Sequence, residues 1–498
     1  MRTTLSLLLF TAACGDNLPG PVEDDPSTST GRSLTGSQVA EWKSYDGSIY
    51  GETPNDFWDT VIEAHVADGD GWRVVPGTGH RDGSFIIEGL PDGHVWLRLA
   101  RRPFGEAFYW TDAEHVSFDE PLLGPEEARS ADEGDQMKLA VDGLAPWQES
   151  DALAWFVPED IVYDQNVLSP APPTAGTTDL AGLEIDWTGR ALANVGPNEP
   201  SFLVQYRTQT LGDDVEVIAP VRAASPKMNQ AAGTTGTLAA TLTAPAVLPY
   251  RLAWARDAFE AERTAAHPTR AGEGVGHSFG LVALPGLVDG EQWLSVEYPL
   301  ATLTDPSILA GTTPLDLGTL NVPNPFPRSW IADSYIVTFP VDFPLPNGDP
   351  WTLEASIGRR SLDLSTDTTP ARPVVTAVRT PTIGGRDAHA PLTEVGLAPT
   401  VAWTAPATGT ATSYQLRLIR AVMNPPPPFR SGWYVDSELT VPGDVTSIRL
   451  PADVLKRDET YGIVVRSIAQ PGQDARTRPW RTGGTAAFAE TILGPFSP

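Results

Sequence analysis

The stretch Asp82–Leu99, DGSFIIEGLPDGHVWLRL, contains two short apolar runs separated by a turn. Apolar side chains alternate with their neighbours in both runs, as Phe85 and Ile87 do in the first and Val95 and Leu97 in the second. A period of two is typical of strands that bury one face. The glycines and the proline between the runs favour a tight turn. The stretch therefore predicts a β-hairpin, and a fold built on sheets.

The overall composition extends this prediction to the whole chain. Its 498 residues include 48 Pro and 45 Gly, which suit many short strands joined by turns and are too many for a helix-rich protein. Only Arg251–Ala266 predicts a helix, because it lacks Gly and Pro and places Leu252, Ala255 and Phe259 on one face. We therefore predict an all-β protein with tandem β-sandwich domains and one short helix in its middle region.

The first residues of the chain are organised like an export signal. Arg2 precedes the apolar run Leu5–Phe10, which is far too short to span a bilayer. The next four residues, TAAC, place the only cysteine of the chain, Cys14, after two small residues. Residues 1–14 thus resemble a bacterial lipoprotein signal with its lipobox. The alternative is an ordinary soluble start with a buried cysteine.

The lipoprotein resemblance implies cleavage before Cys14 and acylation of its thiol and its new amino group. Cys14 is therefore the predicted lipidation site, and the expected location is extracytoplasmic, in the outer membrane of a Gram-negative cell. Residues 15–38 are rich in Pro, Asp, Glu and Ser, and predict a flexible linker between the lipid and the first domain.

Charge and cysteine content limit the partners and the source of stability. The chain has 34 Lys and Arg against 63 Asp and Glu, a formal net charge of −29. Such a surface repels nucleic acid, which is excluded as a partner. A single cysteine gives no disulfide framework, so hydrophobic cores must stabilise the fold. The expected partners are the membrane, through the lipid anchor, and envelope proteins or glycans.

Residues 39–135 are the first predicted domain. The segment from Asp82 to Val95, with its Asp-Gly-x-Phe and Gly-Leu-Pro-x-Gly patterns, resembles the carboxypeptidase regulatory-like, transthyretin-like β-sandwich. That resemblance implies a non-catalytic accessory module. The turn Asp68–Gly71 has the spacing of the start of a calcium loop, although the rest of the EF-hand pattern is missing. Weak loop-bound calcium is the one ligand this pattern allows, and no cofactor is predicted.

Residues 136–245 and 246–370 are predicted as two β-rich domains, the second containing the helix. Residues 371–498 resemble a fibronectin type III domain: Trp403 stands in its second strand, Tyr414 opens the third, and Leu455 precedes Tyr461 by six residues. The resemblance implies a sandwich of two sheets. It implies no catalytic activity.

An insertion at residues 423–430 departs from the fibronectin type III pattern. Its four consecutive prolines, 425–428, favour an exposed polyproline II segment, either as a ligand for an aromatic groove or as a stiff connection. Beside it, Trp433 and Tyr434 are predicted to form an exposed aromatic binding patch. The alternative is that both side chains pack against their own domain.

No catalytic or metal site is predicted. Gly276–Gly280, GHSFG, matches the nucleophile elbow of serine hydrolases, but the residues before it cannot form a core strand and no helix pattern follows. Ser278 is therefore predicted in a turn that enters a strand. His80 and His94 could approach each other across the first hairpin, but surface histidines are far commoner than metal ligands.

Two functions of different classes remain. The first is a lipid-anchored, cell-surface or periplasm-facing β-sandwich protein with a non-catalytic binding or structural role; the lipid address and the accessory-type segments at both ends favour it. The alternative is a secreted hydrolase whose active site lies within residues 136–370. A close pair of buried carboxylates in a deep cleft there would favour the hydrolase.

Overall fold

The structure is a computed structural model that describes residues 31–43, 49–57, 59–100, 106–123, 128–130, 136–156, 163–164, 173–186, 191–193, 201–211, 215–227, 234–267, 274–285, 297–362, 364, 370–425, 429–479 and 486–498. These residues form 34 strands, one α-helix and two short 3₁₀-helices. The predicted all-β class with sandwich-like sheets is confirmed. No helix in these ranges is long and apolar enough to cross a membrane.

The N-terminal segment, residues 31–130, consists of short strands. They are β1 (Arg32–Ser37), β2 (Val39–Lys43), β3 (Ile49–Pro54), β4 (Val61–Asp68), β5 (Gly71–Pro76), β6 (Thr78–Gly79), β7 (Ser84–Leu90), β8 (Val95–Ala100), β9 (Glu106–Thr111), β10 (His115–Ser117), β11 (Glu120–Leu123) and β12 (Ala128–Ser130). One sheet has the order β10-β1-β7-β6, and β9-β8-β4-β5 faces it. Phe85, Ile87, Val95 and Leu97 are all buried in the core between them, as predicted.

The predicted linker ends earlier than residue 38. Strand β1 pairs with β7 and β10, and Leu34 is fully buried in the core. Gly36 lets this strand lie against Phe85, because a Cβ on Gly36 would stand 2.1 Å from the Phe85 ring. The first sheet therefore begins at Arg32, and Leu34 and Gly36 are the residues of this polar segment that contact the core.

The middle segment, residues 136–364, contains the only α-helix of the described chain. Its strands are β13 (Gln136–Asp142), β14 (Ala152–Phe156), β15 (Tyr163–Asp164), β16 (Leu183–Asp186), β17 (Ala191–Ala193), β18 (Phe202–Leu211), β19 (Val215–Ala224), β20 (Thr235–Thr241), β21 (Ala246–Trp254), β22 (Gly276–Ala283), β23 (Tyr298–Leu303), β24 (Leu315–Asn324), β25 (Ile331–Asp342) and β26 (Thr352–Ser361). Helix α1 spans Arg256–Ala266, and 3₁₀-helices span Pro306–Leu309 and Arg328–Trp330.

Helix α1 begins at Arg256, so the predicted start at Arg251 is wrong. Residues 251–254 continue β21, which pairs with β24 and buries Leu252 and Trp254. Phe259 is buried, as predicted for the apolar face of the helix. In the same segment β19 pairs with β23, so this sheet crosses the predicted domain boundary at residue 245. Residues 251–254 form a strand despite their local helix propensity, because they pair with β24, which lies about sixty residues later in the chain.

The C-terminal segment, residues 370–498, is a sandwich of two sheets. Its strands are β27 (Arg379–Ile383), β28 (Arg386–Asp387), β29 (Thr400–Thr404), β30 (Ser413–Val422), β31 (Gly432–Pro442), β32 (Ser447–Arg449), β33 (Tyr461–Ala469) and β34 (Ala487–Phe496). The sheet β28-β27-β29-β32 faces the sheet β34-β33-β30-β31, and the predicted inward residues Trp403, Tyr414 and Tyr461 are buried between them. The Tyr461 hydroxyl accepts a hydrogen bond of 3.0 Å from the Lys456 backbone N–H.

The sheet β34-β33-β30-β31, called the C-terminal sheet below, is paired at both edges with strands of the other two segments. Strand β34 is hydrogen-bonded to β26 of the middle segment, and β31 runs parallel to β9 of the N-terminal segment. One ladder of sixteen strands therefore extends from β15 to β5 through all three segments. An unpaired sheet edge exposes a row of backbone donors and acceptors, and this arrangement leaves the C-terminal sheet without one.

The hydrophobic cores also extend across the segment boundaries. Val464 and Ile492, on the outer face of the C-terminal sheet, belong to the large core of the middle segment. Trp96 and Phe108 of the N-terminal segment belong to the core of the C-terminal sandwich. We call the contact of β4, β8 and β9 with the C-terminal segment the N–C joint. The C-terminal segment thus contacts both other segments, which also pair with each other through β12 and β17.

Candidate functional site

The two residues of the predicted aromatic patch beside the proline insertion differ in exposure: Trp433 is buried and Tyr434 is exposed. Trp433 is only 7% exposed, and its ring lies 4.7 Å from that of Phe343 in the middle segment. Its indole N–H donates a hydrogen bond of 2.9 Å to the Phe343 carbonyl oxygen. Trp351 packs over the neighbouring Gly432, where a Cβ would stand 2.7 Å from the Trp351 ring. The expected exposure of Trp433 is therefore corrected: the middle segment covers it.

The exposed part of this region consists of other side chains. Tyr434 is 38% exposed, Val435 55% and Phe429 63%. The Tyr434 hydroxyl donates a hydrogen bond to the Arg430 carbonyl oxygen, which ties the end of the insertion to β31. Prolines 426–428 lie outside the described residues, as does Cys14. A ligand for this surface would meet Tyr434 and its neighbours, and its existence stays a prediction.

Ser278 lies inside strand β22 rather than in a turn. The strand is hydrogen-bonded on both sides, to β23 and to β25, and it runs on to Ala283 without entering a helix. The neighbouring His277 places Nδ1 3.2 Å from the Tyr335 hydroxyl, and burial lowers the pKa of His277. A nucleophile elbow needs a sharp turn between a strand and a helix, and the backbone here has neither feature.

The Arg449 side chain binds the Asp68–Gly71 turn, which resembles the start of a calcium loop. The Arg449 guanidinium donates hydrogen bonds to the carbonyl oxygens of Gly69 and Gly71, both at 3.2 Å, and to that of Asp70. It also lies 5.3 Å from the centre of the Trp72 ring. A calcium ion uses backbone carbonyl oxygens as ligands, and here a fixed positive charge already binds them. The turn thus serves as an attachment point of the N–C joint.

His80 and His94 are not brought together as a metal site. His80 is exposed, whereas His94 stacks on Trp110 and places Nε2 3.2 Å from an Asp112 carboxylate oxygen. Among the residues that the structure describes, no group of three or more His, Cys, Asp or Glu side chains could hold a metal ion.

Every buried carboxylate among the described residues has an arginine partner. Asp151 accepts two hydrogen bonds of 2.7 Å from Arg207, and Glu490 accepts bonds of 2.6 and 2.8 Å from Arg417 and Arg466. In such pairs the arginine neutralises the carboxylate charge, and its N–H groups bind oxygen lone pairs that a general base would use.

The third buried carboxylate, Asp333, lies in the middle segment, where the hydrolase hypothesis requires its active site. It accepts a hydrogen bond of 3.2 Å from the Tyr250 hydroxyl and lies 3.3 Å from an Arg359 nitrogen. Burial raises the pKa of Asp333, and the Arg359 charge opposes that rise. Burial likewise raises the pKa of Tyr250 far above its usual value. Asp333 is 3% exposed, and the Arg359 guanidinium lies 5.7 Å from the centre of the Trp254 ring.

Arg449 and the N–C joint had no signal in the sequence. Arg449 contacts a turn 379 residues earlier in the chain, and a single sequence does not show which residues so far apart meet. Neither a family model nor a curated protein sequence matches this chain.

Proposed function

We propose that this protein is a lipid-anchored, extracytoplasmic β-sandwich protein with a non-catalytic role, in which it acts as a stiff scaffold that contacts envelope proteins or glycans. The observation that carries the proposal is the sixteen-strand ladder through all three segments. Segments joined by flexible linkers move independently, whereas segments that share backbone hydrogen bonds and cores move as one body. A spacer or presenting scaffold needs that stiffness.

The chemistry of the buried groups supports the same proposal. Asp151, Asp333 and Glu490, the buried carboxylates of the described residues, are each paired with arginine, as structural ion pairs are. The two-sheet arrangement of the C-terminal segment and the bond from Lys456 N–H to the Tyr461 hydroxyl support its resemblance to fibronectin type III domains. Such modules commonly serve as spacers and binding units.

The lipid anchor is part of the proposal and has its own test. In a Gram-negative host, the wild-type protein is expected in the membrane fraction, with no recovered peptide N-terminal to Cys14. Cys14→Ser removes the thiol that acylation requires, so the variant is expected in the soluble fraction. Ser6→Ala in the apolar run is the control and should stay in the membrane. Recovery of intact Met1 in a soluble cytoplasmic fraction contradicts the anchor.

Stiffness is tested by small-angle X-ray scattering of the Cys14→Ser protein. A single body gives a scattering curve that fits one compact arrangement of residues 31–498, with residues 1–30 fitted separately. Scattering that fits only an ensemble of independently moving segments would refute the scaffold role while leaving the anchor untouched.

A further inference from the structure

His65 is a buried titratable residue whose position no catalytic role explains. It lies on β4, is 1% exposed, and pairs across the sheet with Trp96 of β8. Its ring meets the edge of Phe108 at 5.6 Å between ring centres. Trp96 in turn donates a hydrogen bond of 3.1 Å to the Arg449 carbonyl oxygen of the C-terminal segment. His65 therefore sits inside the N–C joint.

One arginine and three carboxylates lie around His65. Glu63 lies 3.5 Å from His65 Nε2, but Arg98 binds that carboxylate at 2.6 Å and also binds Glu106 at 2.8 Å. From the C-terminal segment, the Asp453 charge also acts on the imidazole. The Glu63 carboxylate is the nearest polar partner of the imidazole, and at 3.5 Å from Nε2 it makes at most a long, weak hydrogen bond. Glu63 and Asp453 attract a proton on the imidazole, but that charge would lie in a contact with Trp96 and Phe108 where His65 is only 1% exposed.

We infer that the N–C joint is acid-sensitive: it is closed while His65 is neutral and is weakened when His65 takes up a proton. Burial between two packed sheets disfavours the charged imidazole more than the neighbouring carboxylates favour it. When the joint opens, water reaches the ring and that cost disappears. Opening also uncovers Trp96 and Phe108, the apolar face by which the N-terminal segment is held.

The direction of the pH effect follows from the displaced pKa. Burial, and to a lesser extent the Arg98 charge, lower the pKa of His65 from its usual value of 6.5, while Glu63 and Asp453 oppose them. When the joint is open, the exposed His65 titrates near 6.5, so the closed form binds fewer protons. The joint is accordingly most stable above pH 6.5 and weakens as the pH falls from there through the lowered pKa.

Hydrogen–deuterium exchange of the full chain at pH 7.5 and 5.5, corrected for intrinsic exchange rates, tests this inference. In the wild type, peptides from Val61–Asp68 and from Ser447–Arg449 should lose protection severalfold at the lower pH. His65→Leu places an apolar side chain that cannot titrate in the same space, so the loss at these two strands should disappear. If His65→Leu does not fold, His65→Gln provides the same comparison.

His277→Gln is the matched control, because burial also lowers the pKa of His277 but that residue lies in the middle segment. This variant should keep the wild-type pH response of the joint. An equal loss of protection in wild type and in the His65 variants would overturn the inference, as would a wild-type joint whose protection does not change between the two pH values.

Discussion

Replacing Trp433 tests whether the middle segment holds the C-terminal sheet as the structure indicates. Trp433→Ala removes a buried indole and its ring contact with Phe343, and truncation of a large buried aromatic typically costs about 3–5 kcal/mol. Trp433→Phe keeps a ring and removes the N–H that binds the Phe343 carbonyl oxygen. Leaving that buried acceptor without its donor should cost about 1–3 kcal/mol.

The assay is urea denaturation of the full chain followed by circular dichroism, with the free energy taken from the midpoint and slope of the transition. Tyr434→Ala is the control, since a side chain that is 38% exposed should change stability by under about 1 kcal/mol. A double-mutant cycle with Phe343→Ala should give a coupling of about 0.5–1.5 kcal/mol between the two rings. A Trp433→Ala protein as stable as Tyr434→Ala would refute the buried contact.

Two further predictions concern Arg449 and Ser278, whose structural roles the sequence did not show. Arg449→Ala removes the hydrogen bonds to the Asp68–Gly71 turn, so hydrogen exchange of that turn should accelerate by roughly tenfold for about 1.4 kcal/mol lost. The nearby Arg73→Ala is the control and should leave the exchange rate unchanged. Equal exchange in both variants would contradict the attachment. Ser278→Ala should not alter labelling by a fluorophosphonate probe, because Ser278 lies in a continuous strand and not in a nucleophile elbow. Mass spectrometry should find no adduct in the wild type, and stoichiometric labelling that vanishes in the variant would show a nucleophile.

The sequence by itself indicated many of the strands and the buried face of several of them, although it missed β1 and the last residues of β21. Phe85 and Ile87, or Tyr461 and Ile463, alternate with a period of two, and this pattern reports directly which side of a strand is apolar. The resemblance of residues 371–498 to fibronectin type III domains, carried in part by Leu455 and Tyr461, also implied a two-sheet C-terminal sandwich. The Tyr461 hydroxyl accepts one hydrogen bond there, from the Lys456 backbone N–H.

Only the tertiary structure decided what covers the opposite faces. Trp96 and Val464 lie on the sides that alternation predicts to be exposed, yet both are buried, because a neighbouring segment packs there. Trp433 is covered by Phe343, ninety residues earlier in the chain, and Arg449 reaches a turn 379 residues away. Periodicity records the local geometry of one strand. Edge pairing and face-to-face packing depend on residues distant in the chain, and a single sequence contains no local pattern that identifies them.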